Sequence, residues 1–458
     1  MTARLTRSSA EVGAAAPIGV VHIGLGAFHR AHQAWYTHLA NSESGQAVGI
    51  AAFTGRRPDA ATVLGDQDGL YTLLVRGREG DQAEIITSIS AAYDGADVEA
   101  LCRHLRDPAV TIVTLTVTEA GYRRSPDGGI DRDDPEVTAD IAALRTSGGI
   151  PVTVPGRLVA ALAGRRDADA GPVAIVPCDN LSDNGPATRR VVLDLAGAVD
   201  PDLRDWIDEQ VGFVSTMVDR ITPATTDADR DTVSGLIGLD DHTPVVTEPF
   251  AEWVVESGGL PDRRPAWETV GARIVDDVTP FELRKLWLLN GAHSLLAYDG
   301  LARGHRTVAV AMADPVCRDW IEQWWDTAGA LLPLAADEVA AYRAALVDRF
   351  ENPRIEHNLR QIAGDGSQKL PFRVVPVLER ERAAGRLPAA AVQALAGWLI
   401  HLRTGEVRDP RADDLVPRVA GPLPEATRVV LGEVAPALVD DEKLVDAIVA
   451  AADGLRAD

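Results

Sequence analysis

The sequence predicts an α/β protein in two parts, a mostly parallel β-sheet domain over residues 1–275 and a mostly α-helical domain over 276–458. Three observations carry this. Short β-branched runs alternate with helical stretches through the first half, the pattern of a parallel sheet covered on both faces. The first of these runs passes through two closely spaced glycines straight into a helix. After about residue 276, apolar residues recur at helical spacing and strand candidates nearly vanish.

The opening MTARLTRSSAEVGAAAP lacks an apolar signal core and reads as a frayed tail on a cytoplasmic protein. Residues 18–23 form the first predicted strand, Gly24-Leu25-Gly26 follows, and the chain then turns helical. AVGIAAF (47–53) is the second strand and EIITSIS (84–90) the third. AVTIVTLTVTEAGY (109–122) contains a fourth, VAIVPCDN (173–180) a fifth and GFVSTMVDRITP (212–223) a sixth. Stretches such as VEALCRHLRD and GRLVAALAGRR supply the helices between them. Beyond 276, successive helices are predicted over DVTPFELRKLWLLNGAHSLLAYDGL, DPVCRDWIEQWWDTAGALL, DEVAAYRAALVDRF, LPAAAVQALAGWLIHLR and DEKLVDAIVAAADGL, with Asp-Pro and Gly-Pro steps as turns.

Composition narrows the function. A chain of 458 residues, 46% hydrophobic and 25% charged, is a globular protein of more than one domain, and no run of 18 apolar residues offers a membrane span. A net charge of -23 argues against nucleic-acid or anionic-membrane partners, because phosphate binding needs clustered positive charge. Cys102, Cys178 and Cys317 are far apart and odd in number, and there is no H-E-x-x-H, so neither a disulfide framework nor a metal site is expected.

Glycines directly after a strand let the backbone approach a pyrophosphate at a helix N-terminus. Gly24, Gly26, Ala27 and Phe28 are therefore candidate cofactor contacts; the alternative is a tight turn with no ligand. His29 stands where a third glycine would complete G-x-G-x-x-G, and His29, Arg30 and His32 read as helix-start and packing residues.

The second half opens on FELRKLWLLNGAHSLLAYDG. Of the 45 basic residues only Lys285, Lys369 and Lys443 are lysines. A lysine inside an apolar helix of so arginine-rich a chain points to a need arginine cannot meet, such as a proton released near neutral pH. On an α-helix Glu282, His293 and Asn290 lie about 60°, 80° and 140° from Lys285, in one sector. Trp287, Leu288 and Leu295 fall outside it as core. The strip rises about 12 Å, within reach of an extended sugar alcohol. The competing reading is an interhelical hydrogen-bond cluster.

Eight ordered motifs resemble one family, the polyol-specific long-chain dehydrogenases, from about residue 18 to past 400. They are GVVHIGLGAFHRAHQ, QDGLYTL (67–73), TLTVTEAGY (114–122), PCDNLSDNG (177–185), MVDRITP (217–223), EPFAEWV (248–254), the K-x4-N-x2-H run, and DGSQKLP (365–371). The resemblance implies a Rossmann-type domain, a helical domain, a metal-free active site, and reversible oxidation of a secondary alcohol with a nicotinamide cofactor, NAD or NADP. It puts the catalytic lysine on Lys285, carbonyl-polarising asparagines on Asn180 and Asn290, and a substrate-holding histidine on His293. Asp219 of MVDR and Lys369 of DGSQK fall near substrate hydroxyls, and Asp68 of QDGLYTL among the cofactor contacts.

Departures from the family pattern bear on specificity. NAD-preferring members tend to carry an acidic residue after the second strand, whereas this chain reads AAFTGRRPD. Arg56 or Arg57 there suits a 2′-phosphate, so NADP is expected to be at least tolerated; a solvated loop end is the alternative. Gln361 stands where some mannitol dehydrogenases have arginine, and its run looks more like fructuronate reductases. For a sugar acid, Arg360 or Lys369 is the candidate cation. Asp299 occupies a position that is more usually apolar. The expected reaction interconverts a polyol and a 2-ketose, with D-mannitol and D-fructose the best fit. Fructuronate–mannonate chemistry is one alternative, and a non-catalytic dinucleotide-binding sensor is another. The only partner expected is a small-molecule substrate, and the expected state is a monomer.

Overall fold

Six short runs of β-branched and small apolar residues build the main sheet: β1 (Ile18–Ile23), β2 (Gly49–Phe53), β3 (Ile89–Tyr93), β4 (Ile112–Leu115), β5 (Val173–Pro177) and β6 (Val211–Phe213). Every residue of β2, β4 and β5 is buried, as a sheet covered on both faces requires. All neighbouring strands are parallel, in the order β3-β2-β1-β4-β5-β6. The order reverses between β1 and β4, the switch point where Rossmann-type sheets bind dinucleotides beyond the carboxyl ends of their strands. One apolar cluster, with Val21, Val113 and Ile175, fills one face, and another, with Val20, Ile50 and Val176, fills the other.

The computed structural model describes residues 2–146 and 148–457, in two units, Met1–Thr279 and Pro280–Asp458. The first unit also holds two three-stranded sheets that the sequence reading largely missed. One orders Val245–Thr247, Tyr71–Arg76 and Asp81–Ile86; the other orders Arg273–Val275, Glu252–Glu256 and Thr216–Asp219. Two predicted strands are consequently divided. Residues 84–90 are split because those up to Ile86 pair with Tyr71–Arg76 and those from Ile89 pair with β2; between them Arg7 donates to Thr87 O (2.9 Å) and Ser88 Oγ to Ala34 O (2.7 Å). Residues 212–223 contribute Gly212 and Phe213 to the main sheet, and Thr216–Asp219 to a side sheet.

The opening segment is no frayed tail. Leu5 is fully buried, its N–H bonds Asp240 O, and Arg7 ties down Gly13 O, Asp68 O and Thr87 O.

In the second unit the helices Ala292–Ala302 and Ala389–Arg403 are the most buried, the former losing solvent at every position from Ala292 to Gly300. Buried on nearly every side, they form the centre of this unit. Asp-Pro steps mark helix starts as expected: the Asp314 side chain caps Val316 N (2.8 Å) ahead of Pro315. Asp299, odd in sequence, is a satisfied buried carboxylate, accepting from Gln393 Nε2 (2.7 Å), Arg303 Nε (3.1 Å) and Cys317 Sγ (3.2 Å).

Candidate active site

In the first unit the glycine turn sits at the carboxyl end of β1. Gly24 has φ +109°, and a Cβ there would stand 2.2 Å from Thr116 O, so a side chain is excluded by both backbone and space. Thr116 Oγ1 donates to Gly24 O (2.9 Å), while Gly24 and Leu25 N–H both bond Phe53 O at the end of β2. The turn is thus fastened to the strand whose continuation carries Arg56 and Arg57. Both arginines are exposed, and neither forms a hydrogen bond or ion pair among the described residues. Above Gly26 a Cβ would meet nothing nearer than Gly24 O at 3.6 Å, leaving an open cradle that fits a dinucleotide's phosphates. Half-buried Ala27 and Phe28 open the next helix, with Phe28 stacked on His32 (5.1 Å). Asp68 is exposed, and its carboxylate accepts Arg7 N–H (3.0 Å).

His29 explains the missing third glycine. It stacks on His22 of β1 with ring centroids 3.3 Å apart, both rings fully buried. The helix therefore rests on an imidazole pair where close backbone packing would need glycine. Burial lowers the His22 pKa to about 3, and burial together with His22 holds His29 well below its ordinary value.

Asn180 is exposed just beyond β5. The turn that carries it is pinned by Asp179, whose carboxylate accepts Leu181 N–H (3.1 Å) and the Tyr122 hydroxyl. Burial raises the Asp179 pKa to about 6. Asp219, 4% exposed, ends its strand opposite Glu252. The next residue, Arg220, is a buried strap: it donates to Ala31 O and Glu248 O and lies over Trp35 at 4.2 Å. Much of the MVDR and EPF sequence is therefore scaffold.

In the second unit the K-x4-N-x2-H run departs from the predicted α-helix. Thr279–Arg284 and Ala292–Ala302 are α-helical, but Lys285–Gly291 between them is a π-helix, a form that is rare and concentrated at functional sites. One extra residue in the turn brings Asn290 to about 40° from Lys285 and His293 to about 20°, against about 140° and 80° on a regular α-helix. On such a wheel the wide turn puts the three polar groups in one narrow sector. Lys285 and Asn290 are half-buried, while Trp287, Leu288 and Leu295 are core as predicted.

His293 is 6% exposed, stacked on Phe350 (4.6 Å) and edge-on to His357 (4.8 Å), and its Nε2 has no hydrogen-bond partner among the described residues. Burial, then His357, Arg349 and Arg373, push its pKa well down, so the ring is neutral. Lys369 Nζ instead donates to Gly364 O (2.7 Å) beside Asp365 (3.6 Å), and Arg360 is 73% exposed and paired with Glu406 (3.3 Å). Sequence reading missed Arg373, four residues after Lys369. It donates to Ser294 Oγ (3.4 Å), next to His293, and has no carboxylate within ion-pair distance among the described residues. Burial lowers its pKa to about 10. The K-x3-R spacing in KLPFR was the available signal.

Residues 18–269 match the model of the mannitol dehydrogenase Rossmann domain, and residues 277–453 that of the mannitol dehydrogenase C-terminal domain. A mannitol 2-dehydrogenase of Cereibacter sphaeroides is 37% identical over 406 residues, 87% of this chain and 83% of the relative. A D-mannonate oxidoreductase of Escherichia coli (strain K12) is 35% identical over 411 residues, 88% of this chain and 83% of the relative. Among solved structures, Pseudomonas fluorescens mannitol 2-dehydrogenase in ternary complex with NAD and D-mannitol aligns with a TM-score of 0.79 at 34% identity, covering 99% of this chain and 94% of that one.

Proposed function

The chain belongs to the mannitol dehydrogenase family and is a nicotinamide-dependent dehydrogenase of polyols or their sugar-acid counterparts, and within that class we propose that it interconverts D-mannitol and D-fructose. The observation that supports catalysis is the π-turn that aligns Lys285 and Asn290 with a buried, unpartnered His293 nitrogen. A neutral polyol is favoured over an acid because Lys369 and Arg360 are already engaged by Gly364 and Glu406.

Gly24, Gly26, Ala27 and Phe28 would hold the cofactor's phosphates, with Arg56 and Arg57 toward its adenosine ribose. Unpaired arginines beyond β2 support tolerance of NADP as well as NAD. When bound, the cofactor accepts or gives the hydride. Lys285 in its neutral form takes the hydroxyl proton during oxidation and in its charged form returns it during reduction. The Asn290 amide donates to the oxygen as charge develops on it, the role that the family resemblance also gives Asn180. Neutral His293 has one donor and one acceptor nitrogen, suited to a substrate hydroxyl.

Arg373, which has no carboxylate within ion-pair distance among the described residues, favours a second reading, a sugar acid whose carboxylate it would meet. An absorbance assay at the nicotinamide band with mannitol, arabinitol, sorbitol and mannonate decides. The proposal expects the highest kcat/KM with mannitol; preference for mannonate would replace it with the second reading. No turnover of any of them would leave the dinucleotide sensor.

A further inference from the structure

A seven-residue π-segment needs something to hold it, because i→i+5 bonding is less favourable than the α pattern. Trp324 and Trp325 lie side by side on the helix Pro315–Gly329, both fully buried. Their indole Nε1–H groups donate to two backbone carbonyls of the π-segment, Trp324 to Trp287 O at 2.8 Å and Trp325 to Leu288 O at 2.9 Å. An α-helix would direct the Ala292 N–H to Leu288; here it goes to Leu289, and the Leu288 oxygen is taken by Trp325. Gly291 makes the approach possible, since a Cβ there would stand 2.6 Å from the Trp324 ring.

We propose that Trp324 and Trp325 are positioning residues which, by satisfying two carbonyls of the wide turn, fix the register of Lys285 against Asn290 and His293 and so set the proton-transfer geometry. The inference rests on reading Lys285 as the acid/base. It adds two residues that touch neither substrate nor cofactor in that reading. A buried carbonyl stripped of its donor costs enough to drive the segment back toward α-helical bonding, which turns Asn290 and His293 away from Lys285.

The test uses the full-length enzyme with cofactor and its best polyol. Trp324→Phe and Trp325→Phe each keep an aromatic ring and remove the donor. Trp398→Phe is the control, because Trp398 is equally buried and its Nε1 has no hydrogen-bond partner among the described residues. Expected are a fall of about 10²-fold in kcat, a displaced pH profile for oxidation and a cofactor dissociation constant within about twofold of wild type, with the control keeping the wild-type profile. Gly291→Ala, which displaces the Trp324 ring, should move the profile in the same way, and it carries the test with the remaining Phe variant should one not fold. Wild-type kcat and profile in folded Phe variants would overturn the inference, as would an equal displacement in Trp398→Phe. Lys285→Ala run in parallel separates the two levels. If it keeps the wild-type profile, the acid/base reading has failed; if it loses activity while the Phe variants do not change, only the bracing has failed.

Discussion

Replacing His29 with phenylalanine should make the first unit more resistant to acid at no cost near neutrality. His22 and His29 are stacked and fully buried, and both are held neutral, with the His22 pKa at about 3. In the unfolded chain a histidine titrates near ~6.5. Above that pH both states are neutral and pH has no leverage through these rings. Below it the unfolded chain takes up a proton that the folded one refuses, so stability falls as pH falls, by about 1.4 kcal/mol per pH unit for each ring. For His22 alone the loss down to its folded pKa is about 5 kcal/mol. His29, held well below its ordinary value by burial and by His22, adds to that loss in the same direction, against a typical domain stability of about 5–15 kcal/mol. Phenylalanine keeps a stacked ring and removes one proton site. Urea unfolding followed by tryptophan fluorescence, at steps from about pH 7 down to about 4.5, measures the slope of stability against pH. The variant's slope should be smaller by one proton, carboxylate contributions cancelling between the two proteins. Equal slopes would show that His29 is protonated or hydrated in the folded state, and the reasoning from burial would be wrong.

Lys285→Ala should cost about 10²–10⁴ in turnover, read at the nicotinamide absorbance band, while the cofactor dissociation constant stays near wild type. Replacing Arg56 and Arg57 together by alanine should raise KM for NADP more than for NAD; equal changes would make the pair a bystander. Turnover should survive exhaustive chelation, since the Lewis-acid role is assigned to Asn and Lys donors, and activity lost to a chelator and regained with zinc would reject that assignment.

The elements with the strongest sequence signal were those whose cause is local. The β1 strand, its glycine turn and the alternation of strand and helix follow from β-branched runs and spacing that a short window contains. The helical half was legible in the same way. Less legible were features whose cause lies elsewhere in the chain. The three-residue strands Val245–Thr247 and Arg273–Val275 are too short to show a period, and they exist through their partners. The docked opening segment depends on one buried leucine and on Arg7 reaching residues more than sixty positions away. The wheel that grouped Lys285, Asn290 and His293 assumed uniform α-helical steps, and the π-turn that improves their alignment is braced from 37 residues downstream. Arg373 went unnoticed because an arginine among 45 basic residues carries no mark of its own, and only its neighbour Ser294 gives it meaning.

Whether Lys285 moves the proton is decided by the pH dependence of polyol oxidation and ketose reduction in wild type and Lys285→Arg. Wild-type oxidation should rise with pH through one ionisation and reduction should fall through the same one, with the arginine variant inactive because a guanidinium keeps its proton near neutrality. Wild-type turnover and an unchanged profile in Lys285→Arg would contradict it and leave Lys285 as an electrostatic anchor.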